Sequence, residues 1–374
     1  IGMSLYKNLI LIYGILPYIS NINNKWRFLT SILLGNKNWK VKINNHNFNF
    51  KREEYSRLFF LLGLIEFAFS YKLTQDGKLD ISLDGQNKFS IPIVNQSYED
   101  ENLIELLFKG SKKGANFIDG ENIEYGLREK QIKIYEKNGK KIVETSEGIK
   151  FYLDSIHPSN TIVETFIEKI HQISSLERLE NKIILDIGAE CGDTALFYAN
   201  LGATVYSFEP IKDNFEALKR NLSLNSEIAK KIIPTNVAIG ENKILKFFKD
   251  PITPTYGASF VQNKRGKNAK IETVQGYSLE TALEKFSIEN VELMKMDCKG
   301  CEFFLTELAL QKIQRVKIEY SGFHPKKTIE DIIQNLKNVG FSYVIYRSSD
   351  TRTHSNKTNG YIYAEKGNSI NAKK

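Results

Sequence analysis

The later part of the chain alternates short apolar runs with stretches that carry apolar residues at helical spacing. Apolar runs occur at 182–188, 204–210 and 291–296, and helical spacing occurs between them, as at 214–225. The alternation continues to residue 348. Strands separated by helices of this kind form a sheet with helices on both faces, and such sheets bind ligands at the carboxyl ends of their strands. The sequence therefore predicts an α/β domain built on a doubly wound sheet.

The earlier part of the chain has a different pattern. Residues 1–130 mix apolar helical stretches with polar turns, and residues 130–154 alternate in polarity around a turn at Asn138-Gly139, which is typical of hairpins. We therefore predict an additional N-terminal α+β domain over 1–130, a connecting hairpin region over 131–160 and the α/β domain over 161–374.

Two apolar stretches raise the question of a membrane span. Residues 9–19 and 58–69 are both shorter than the ~20 apolar residues that a spanning helix requires. We predict no transmembrane segment and expect both stretches to be buried helices of the N-terminal domain. A helix over 3–20 that lies on a surface is the alternative, although this stretch holds a single lysine.

The composition is that of an ordinary globular protein, with 374 residues, 41% of them hydrophobic, and a formal net charge of +8. Three cysteines and the absence of a signal-like start favour a reducing, cytoplasmic setting. The positive charge fits a lysine-rich solvated surface, or attraction to anions such as nucleic acid, nucleotide sugars or anionic lipid. We favour the solvated surface, because no RNA-binding motif accompanies the charge.

Cys298 and Cys301 form a C-x-x-C pair. A structural zinc site needs four ligands, and neither Cys191 nor the spacing of the five histidines completes one, so we predict no metal site. A redox dithiol at a strand-to-helix turn is the remaining alternative. That alternative does not explain the charged residues of the same turn, Asp297 and Lys299.

A glycine-containing loop follows the strand at 182–188. Gly188 and Gly192 have the spacing G-x-x-x-G, which differs from the G-x-G-x-x-G of dinucleotide binders, and Asp186 ends the strand. Glu209 lies at the end of the next strand, where an acid can accept the hydroxyls of a ribose. A tight turn would produce the glycines alone. Together with Glu209, they predict a nucleoside ligand that carries an amino acid, which is S-adenosylmethionine.

Four segments carry a family resemblance: DIGAECG at 186–192, FEP at 208–210, NVAIG at 236–240 and KMDCKGCE at 295–302. They resemble the FkbM family of S-adenosylmethionine-dependent methyltransferases, and the resemblance extends over about 142–348. The sequence departs from the family at Glu190, where asparagine is usual, and at Lys299, where an acid is usual. Cys298 and Cys301 replace small apolar residues, so we expect them to pack as small hydrophobes.

The resemblance implies a Rossmann-like fold with a seven-stranded methyltransferase sheet and O-methylation of a sugar, a glycan or a small-molecule hydroxyl. The cofactor it implies is S-adenosylmethionine. The residues expected to hold that cofactor are Asp186, Gly188, Glu190, Gly192, Thr194, Glu209, Pro210, Asn214, Asn236, Ala238 and Asp297.

A hydroxyl acceptor must lose its proton during transfer, which requires a nearby base. We rank Asp297 first, Glu319 second and His324 third as catalytic candidates at the carboxyl edge of the sheet. Two rival functions remain, an RNA methyltransferase that uses the positive charge and a non-catalytic module that retains the fold. A small-molecule or glycan acceptor is the expected partner, and a homodimer is possible.

Overall fold

The computed structural model describes residues 2–82, 88–94, 97–111, 114–118, 121–125, 132–167, 169–173, 178–249, 270–298, 300–321, 327–346 and 359–367. The chain divides into two compact units. The smaller unit comprises Ile1–Ala115, Ile123–Glu147 and Ile156–Val163, and the larger comprises Asn116–Asn122, Gly148–Ser155 and Glu164–Lys374.

A seven-stranded sheet forms the centre of the larger unit. Its strands in chain order are β1 (Ile183–Ile187), β2 (Thr204–Phe208), β3 (Ile232–Thr235), β4 (Val291–Met296), β5 (Ile313–Ser321), β6 (Phe341–Tyr346) and β7 (Asn359–Lys366). Their order across the sheet is β3-β2-β1-β4-β5-β7-β6. Strand β7 is antiparallel to both neighbours, and the other pairs are parallel. The predicted α/β, Rossmann-like, seven-stranded architecture is confirmed.

Helices follow most of these strands. They are α1 (Asp193–Asn200), α2 (Lys212–Leu224), α3 (Leu279–Lys285), α4 (Glu307–Gln311) and α5 (Ile329–Asn338). Shorter helical segments are Leu153–Ser155, Ser226–Ala229, Cys301–Phe304 and the π-helix Pro158–Ile167. Ser278 caps α3, because its hydroxyl accepts a hydrogen bond from the amide of Thr281.

The apolar spacing over 302–311 is that of one continuous helix, but the structure divides this stretch. The structure has a short 3-10 turn, Cys301–Phe304, and then α4. The chain is extended at Thr306, whose hydroxyl accepts the Ala309 amide and starts α4 anew. Threonine side chains compete with the helical backbone in this way, so the apolar spacing alone overestimated the length of the helix.

The sheet has one apolar face. Leu185, Ile187, Met294, Met296, Val316 and Ile318 are buried in a single hydrophobic cluster. The intervening positions of the same strands include Asp186, Lys295 and Lys317, which are buried as well. Because side chains alternate between the faces of a strand, these charged residues occupy the opposite face. Asp186 pairs in register with Lys295, and Lys295 with Lys317, so the charges form a row across three strands.

Additional strands lie outside the seven-stranded sheet. Ala238–Ile239 is parallel to Lys270–Tyr277, which pairs antiparallel with Ile244–Lys249. Lys150–Tyr152, Gly114–Ile118 and Glu121–Tyr125 are also strands.

The smaller unit mixes helices and strands, as the prediction of an N-terminal α+β region required. Its helices are Gly2–Ile15, Leu16–Asn21, Lys25–Leu33, Arg52–Glu54, Tyr55–Phe67 and Tyr98–Ser111. Its strands are Asn38–Ile43, His46–Lys51, Ser70–Leu73, Lys78–Ser82, Lys88–Pro92, Ile132–Lys137 and Lys140–Thr145. The predicted turn at Asn138-Gly139 joins the last two strands, and both of its residues have positive φ.

The two apolar stretches have different environments. In the helix Tyr55–Phe67, residues such as Leu58, Leu61 and Leu62 are fully buried, as predicted for 58–69. In Gly2–Ile15, by contrast, Leu9, Ile10 and Tyr13 are exposed, so the prediction of a buried helix over 9–19 was wrong. Within the described part of the chain, no helix combines the length and apolar character needed to cross a membrane.

Candidate functional site

The carboxyl ends of β1, β4 and β5 lie side by side. Ile187 of β1 pairs with Met296 of β4, which pairs in turn with β5 one residue before Glu319. The backbone amide of Asp297 donates a hydrogen bond of 2.9 Å to the carbonyl of Ile187. Gly188, Asp297 and Glu319 therefore occupy equivalent positions on three adjacent strands, and the structure brings these three predicted residues to one edge of the sheet.

Gly188 makes the closest contact at this edge. Its φ of +78° is in the left-handed region, and a Cβ atom at this position would overlap the carbonyl oxygen of Asp297. Glycine is therefore the one residue that fits, for both conformational and steric reasons. Gly192 also has positive φ, at +89°, and immediately precedes α1. The loop between the two glycines is held by β2, because the amides of Gly188 and Ala189 both donate to the carbonyl of Phe208.

Glu209 follows β2 and is only 4% exposed. Its carboxylate accepts the backbone amides of Ile211 at 2.9 Å and Glu190 at 2.8 Å, and the side-chain amide of Asn214 at 3.4 Å. Burial raises its pKa to about 7, although these hydrogen bonds act in the opposite direction. The carboxyl group therefore changes its charge near neutral pH, at the place where the glycine loop meets the end of β2.

An unsatisfied acceptor lies beside Glu209. The Oδ1 atom of Asn214 is buried and finds no hydrogen-bond donor among the described residues. A buried polar atom left unpaired costs ~1–3 kcal/mol, and such atoms in native structures call for an explanation. A ligand hydroxyl adjacent to Glu209 would supply the missing donor.

The segment after β3 closes over the same loop. The side-chain amide of Asn236 donates to the backbone carbonyls of Glu209 at 2.8 Å and Pro210 at 3.1 Å. Ala238 is buried in the following two-residue strand. Asn236 and Ala238 thus lie close to the turn of Glu209 and Pro210, although the Asn236 side chain is engaged with that backbone.

Glu190 occupies a backbone conformation that suits asparagine better. Its φ is +46°, in the left-handed region where asparagine is several-fold enriched over most other residues. Its amide is the donor to Glu209. Glutamate at this position therefore keeps the left-handed backbone conformation, but that conformation is less favourable for glutamate than for asparagine.

Replacing Glu190 with asparagine is expected to raise the free energy of unfolding by about 0.5 kcal/mol, because asparagine tolerates the left-handed conformation. Urea denaturation of the two proteins measures the difference. Glu216→Asn is the matched control, since Glu216 lies within helix α2, where the same change should lower stability. If Glu190→Asn instead lowers the free energy of unfolding as much as the control does, contacts of the Glu190 side chain outweigh the backbone preference at this position.

Asp186 is enclosed by protein partners. One carboxylate oxygen accepts the hydroxyl of Thr194 at 2.7 Å, and the other lies 3.3 Å from Nζ of Lys295. The same Nζ donates to the carbonyl of Gly188 at 3.0 Å. Burial opposes the charge of Lys295, but the carboxylates of Asp186, Asp297 and Asp193 outweigh it and raise the lysine pKa above its usual value. Asp186 and Lys295 thus fix the backbone of the glycine loop.

Several buried polar residues of this region were absent from the predicted site. Thr165 donates at 2.6 Å to Asp193, whose pKa burial raises to about 6. His171 is buried, and burial together with the nearby charges of Lys317 and Lys295 lowers its pKa well below the usual value. The sequence did offer one signal, because a lysine inside an apolar strand, as at 295 and 317, must be solvated or paired.

Cys298 and Cys301 pack with apolar residues as predicted, because Cys301 lies in the hydrophobic cluster of the sheet and Cys298 packs against that cluster. The expectation that they would be free cysteines was wrong. The structure joins them in a disulfide, because the turn after β4 brings their Cα atoms to 5.5 Å. Glu302 is fully buried beside them and accepts the Gly300 amide at 2.6 Å. These three side chains are the one group with clustered metal-ligand atoms in the described residues, but disulfide sulfurs are not thiolate ligands. Lys299 and the third catalytic candidate, His324, lie outside the described residues.

Comparison with known families agrees with the resemblance over part of the chain. Residues 186–343 match the family model described as the methyltransferase FkbM domain. This segment contains the glycine loop, Glu209, Asn214, Asp297 and Glu319. No curated protein matches the chain.

Solved structures show distant similarity. The crystal structure of methyltransferase FkbM from Methylobacillus flagellatus KT is 16% identical, with a TM-score of 0.34, over 51% of this chain and 45% of that chain. The chain thus spans less than half the length of that protein. An rRNA methylase from Streptococcus thermophilus is 12% identical, with a TM-score of 0.35, over 55% of this chain and 99% of that chain. M. jannaschii TYW2 in complex with AdoMet is 12% identical, with a TM-score of 0.31, over 63% and 87% of the respective chains.

These structural similarities are too distant to inform the substrate. The family match is independent of them and covers the same segments that carried the resemblance in the sequence. The predicted resemblance is therefore confirmed, and residues 186–343 of this chain match the model of the FkbM methyltransferase domain.

Proposed function

We propose that the chain is a methyltransferase that uses S-adenosylmethionine to methylate a hydroxyl group of a sugar, a glycan or another small molecule. The observation that carries the proposal is the pair of acceptors at the end of β2. Glu209 offers a buried carboxylate, and Asn214 offers a buried oxygen without a donor among the described residues, beside the glycine loop of an FkbM domain.

These residues fit a nucleoside. A carboxylate has about four acceptor sites, and Glu209 uses three, the longest of them at 3.4 Å to Asn214. Ribose hydroxyls would donate to Glu209 and to Oδ1 of Asn214. The loop from Gly188 to Gly192 would receive the amino-acid end of the ligand, and Asn236 and Ala238 would lie beside the adenine. The bound cofactor supplies a methyl group that is already activated for transfer.

The chain's own residues supply position and a base. Methyl transfer to oxygen is an in-line displacement, so holding the two reactants in line provides much of the acceleration. The acceptor hydroxyl must also lose its proton, and a carboxylate within hydrogen-bond reach can take it. Asp297 is half-buried at the end of β4, next to Gly188, and is our first candidate for that base. Glu319, in the equivalent position on β5, is the second.

The rest of the chain receives roles consistent with this activity. We propose that residues 1–130 form a domain that shapes access of the acceptor or pairs two subunits, that residues 131–160 connect it, and that residues 161–374 form the catalytic domain. We propose a cytoplasmic location, because three cysteines are few for a chain that folds in an oxidising compartment.

The activity is tested by transfer of a labelled methyl group from S-adenosylmethionine to a panel of sugars, glycans and small alcohols, with RNA included. The wild-type protein is expected to label a hydroxyl compound. Asp297→Ala is expected to slow transfer by about 100-fold, since a positioned base contributes at least that much, while cofactor affinity stays within a few-fold. Glu289→Ala, which removes an exposed acid of the same unit, is the matched control and should leave the rate unchanged.

Two outcomes would contradict parts of the proposal. Unchanged turnover in Asp297→Ala would remove the role of that residue and direct the search to Glu319. Labelling of RNA in preference to every small hydroxyl compound would overturn the acceptor class while leaving the methyltransferase activity in place.

A further inference from the structure

The positive charge of the chain is concentrated at its beginning. Residues 1–52 contain eight cationic side chains and no aspartate or glutamate; the cations are Lys7, Lys25, Arg27, Lys37, Lys40, Lys42, Lys51 and Arg52. The whole chain has 52 lysines and arginines and 44 acids. Subtracting the eight leaves 44 cations and 44 acids, so residues 53–374 are neutral and the net charge of +8 belongs entirely to the first 52 residues.

The helix Gly2–Ile15 in this segment exposes its apolar side chains. Leu5, Tyr6, Leu9, Ile10, Tyr13 and Leu16 are the large hydrophobic residues left exposed on this helix and at the residue that follows it. At 3.6 residues per turn they fall within about 140° of the helix circumference, which is one continuous stripe. Asn8 and Ile15 lie on the opposite side and are buried in the protein. The helix therefore packs on the protein through the side that carries Asn8 and Ile15, and its opposite, apolar side is exposed.

The helix Lys25–Leu33 repeats this arrangement. Phe28 and Ile32 are buried, whereas Trp26, Leu33 and Leu34 are exposed. The two helices are joined, because the side-chain amide of Asn8 donates to the backbone carbonyl of Leu33 at 3.0 Å. Arg52 donates to the same asparagine side chain and fixes it. We call the exposed residues of the two helices, including the cations Lys7, Lys25 and Arg27, the N-terminal face.

Three of the exposed side chains are amphipathic aromatics. Tyr13 is 80% exposed, Trp26 is 76% exposed and Tyr6 is 65% exposed. Rings with an apolar body and a polar tip are enriched where a protein meets the boundary between lipid and water. A stable monomer gains nothing by exposing so many of them next to leucine and isoleucine, and apolar patches of this kind mark interaction sites.

We propose that the N-terminal face binds the surface of an anionic lipid bilayer. The apolar stripe would enter the headgroup boundary, and Lys7, Lys25 and Arg27 of the same helices would pair with lipid phosphates and carboxylates. Interfacial helices combine leucine and tryptophan with lysine and arginine in this way, and each basic residue near such a surface contributes ~1 kcal/mol. The protein then lies on the membrane without crossing it.

Charge and apolar character favour an anionic bilayer over a second copy of the chain and over RNA. A second copy of the chain would bring Lys7, Lys25 and Arg27 against their own counterparts, and the two helices contain no acid to compensate them. RNA would satisfy the cations and stack on the aromatic rings, but it offers no apolar surface for Leu5, Leu9 and Ile10. An anionic bilayer complements both the charge and the apolar stripe.

The test is sedimentation of the full chain with vesicles of phosphatidylcholine, alone and mixed with phosphatidylserine. The protein is expected to bind the mixed vesicles at least tenfold more tightly than the neutral ones. A tenfold rise in salt concentration should weaken binding to the mixed vesicles at least tenfold, because it shortens the screening length to a few ångströms.

Matched variants separate the contribution of the apolar side chains to vesicle binding from that of the cations. Ile10→Ser with Tyr13→Ser should weaken vesicle binding at least tenfold, whereas Ile271→Ser with Leu308→Ser, which changes two equally exposed residues of the other unit, should leave it unchanged. Lys25→Ala with Arg27→Ala should weaken binding to the mixed vesicles only, and Lys219→Ala with Lys285→Ala is its control. All eight substituted residues are exposed, so each variant should fold and give the same circular dichroism spectrum as the wild type.

Three results would overturn the proposal. The first is failure of the wild-type protein to bind mixed vesicles at low salt. The second is a dimer in solution that Ile10→Ser with Tyr13→Ser converts to a monomer, since the face would then be occupied by a second copy. The third is RNA binding that the Lys25→Ala with Arg27→Ala variant abolishes while vesicle binding persists unchanged in every variant.

Discussion

Glu209→Ala is expected to weaken binding of S-adenosylmethionine by about two to four orders of magnitude. Each hydrogen bond between a hydroxyl and a charged group contributes ~1.5–3 kcal/mol, and a ribose offers two hydroxyls to the end of β2. Isothermal titration calorimetry measures the affinities. Glu216→Ala, which removes an exposed glutamate of the adjacent helix α2, is the matched control and should bind as the wild type does.

The pH dependence of Glu209 gives an independent check. Its pKa is raised from 4.5 in the unfolded reference to about 7 in the folded chain. The folded state therefore holds this proton more tightly than the unfolded state, and the stability it contributes is complete below pH ~4.5 and is lost as pH rises through ~7. The difference in unfolding free energy between wild type and Glu209→Ala should shift by roughly 3 kcal/mol over that range, to the disadvantage of the wild type at high pH.

Cofactor affinity should follow the opposite trend. The ionised carboxylate is the better acceptor for ribose hydroxyls, so affinity in the wild type should rise as pH passes through ~7 and level off above it. Glu209→Ala should show no such rise. Glu216→Ala should show the same pH dependence as the wild type. A wild-type affinity that does not change between pH 5.5 and pH 8.5 would place the ribose away from this carboxylate.

Gly188→Ala is expected to destabilise the chain by roughly 3 kcal/mol more than Gly340→Ala does. Both glycines have φ near +80°, so both variants incur the conformational penalty of a left-handed alanine. They differ in surroundings, because a Cβ at 340 meets nothing within 4 Å, whereas at 188 it overlaps the backbone of Asp297. Backbone cannot move aside as a flexible side chain can.

Chemical denaturation of the two variants separates the conformational and steric costs. Gly340→Ala alone should lower stability by ~1 kcal/mol and retain cofactor binding. Gly188→Ala should also lose cofactor binding, since β1 and β4 must separate where the ligand would lie. Equal destabilisation by the two variants would mean that β1 and β4 are not in close contact at this edge.

The sheet was predictable because its signal is local. Apolar runs such as 291–296 and the helical spacing between them identify strands and helices without knowledge of their partners. The sequence pattern failed to predict helix boundaries and burial where interactions other than hydropathy determine them. Thr306 caps a new helix and divides the stretch 302–311. Leu9, Ile10 and Tyr13 are exposed because hydropathy does not specify what covers a helix.

The candidate site was predictable to the extent that residues at strand ends share an edge. Gly188, Asp297 and Glu319 could be grouped from the sequence because parallel strands end together. The pairing of Lys295 with Asp186 could not, since it depends on the order and register of β1 and β4. The unsatisfied oxygen of Asn214 likewise appears only when its neighbours are placed.

Binding of S-adenosylmethionine at the end of β2 underlies every role proposed for the α/β domain. The most direct measurement is calorimetric titration of the wild-type protein at pH 8 with S-adenosylmethionine, S-adenosylhomocysteine and NADH. Micromolar affinity for the first two, and none for NADH, is the predicted result. A folded protein that binds neither S-adenosyl compound would contradict the account and would favour a module that retains the FkbM fold without its reaction.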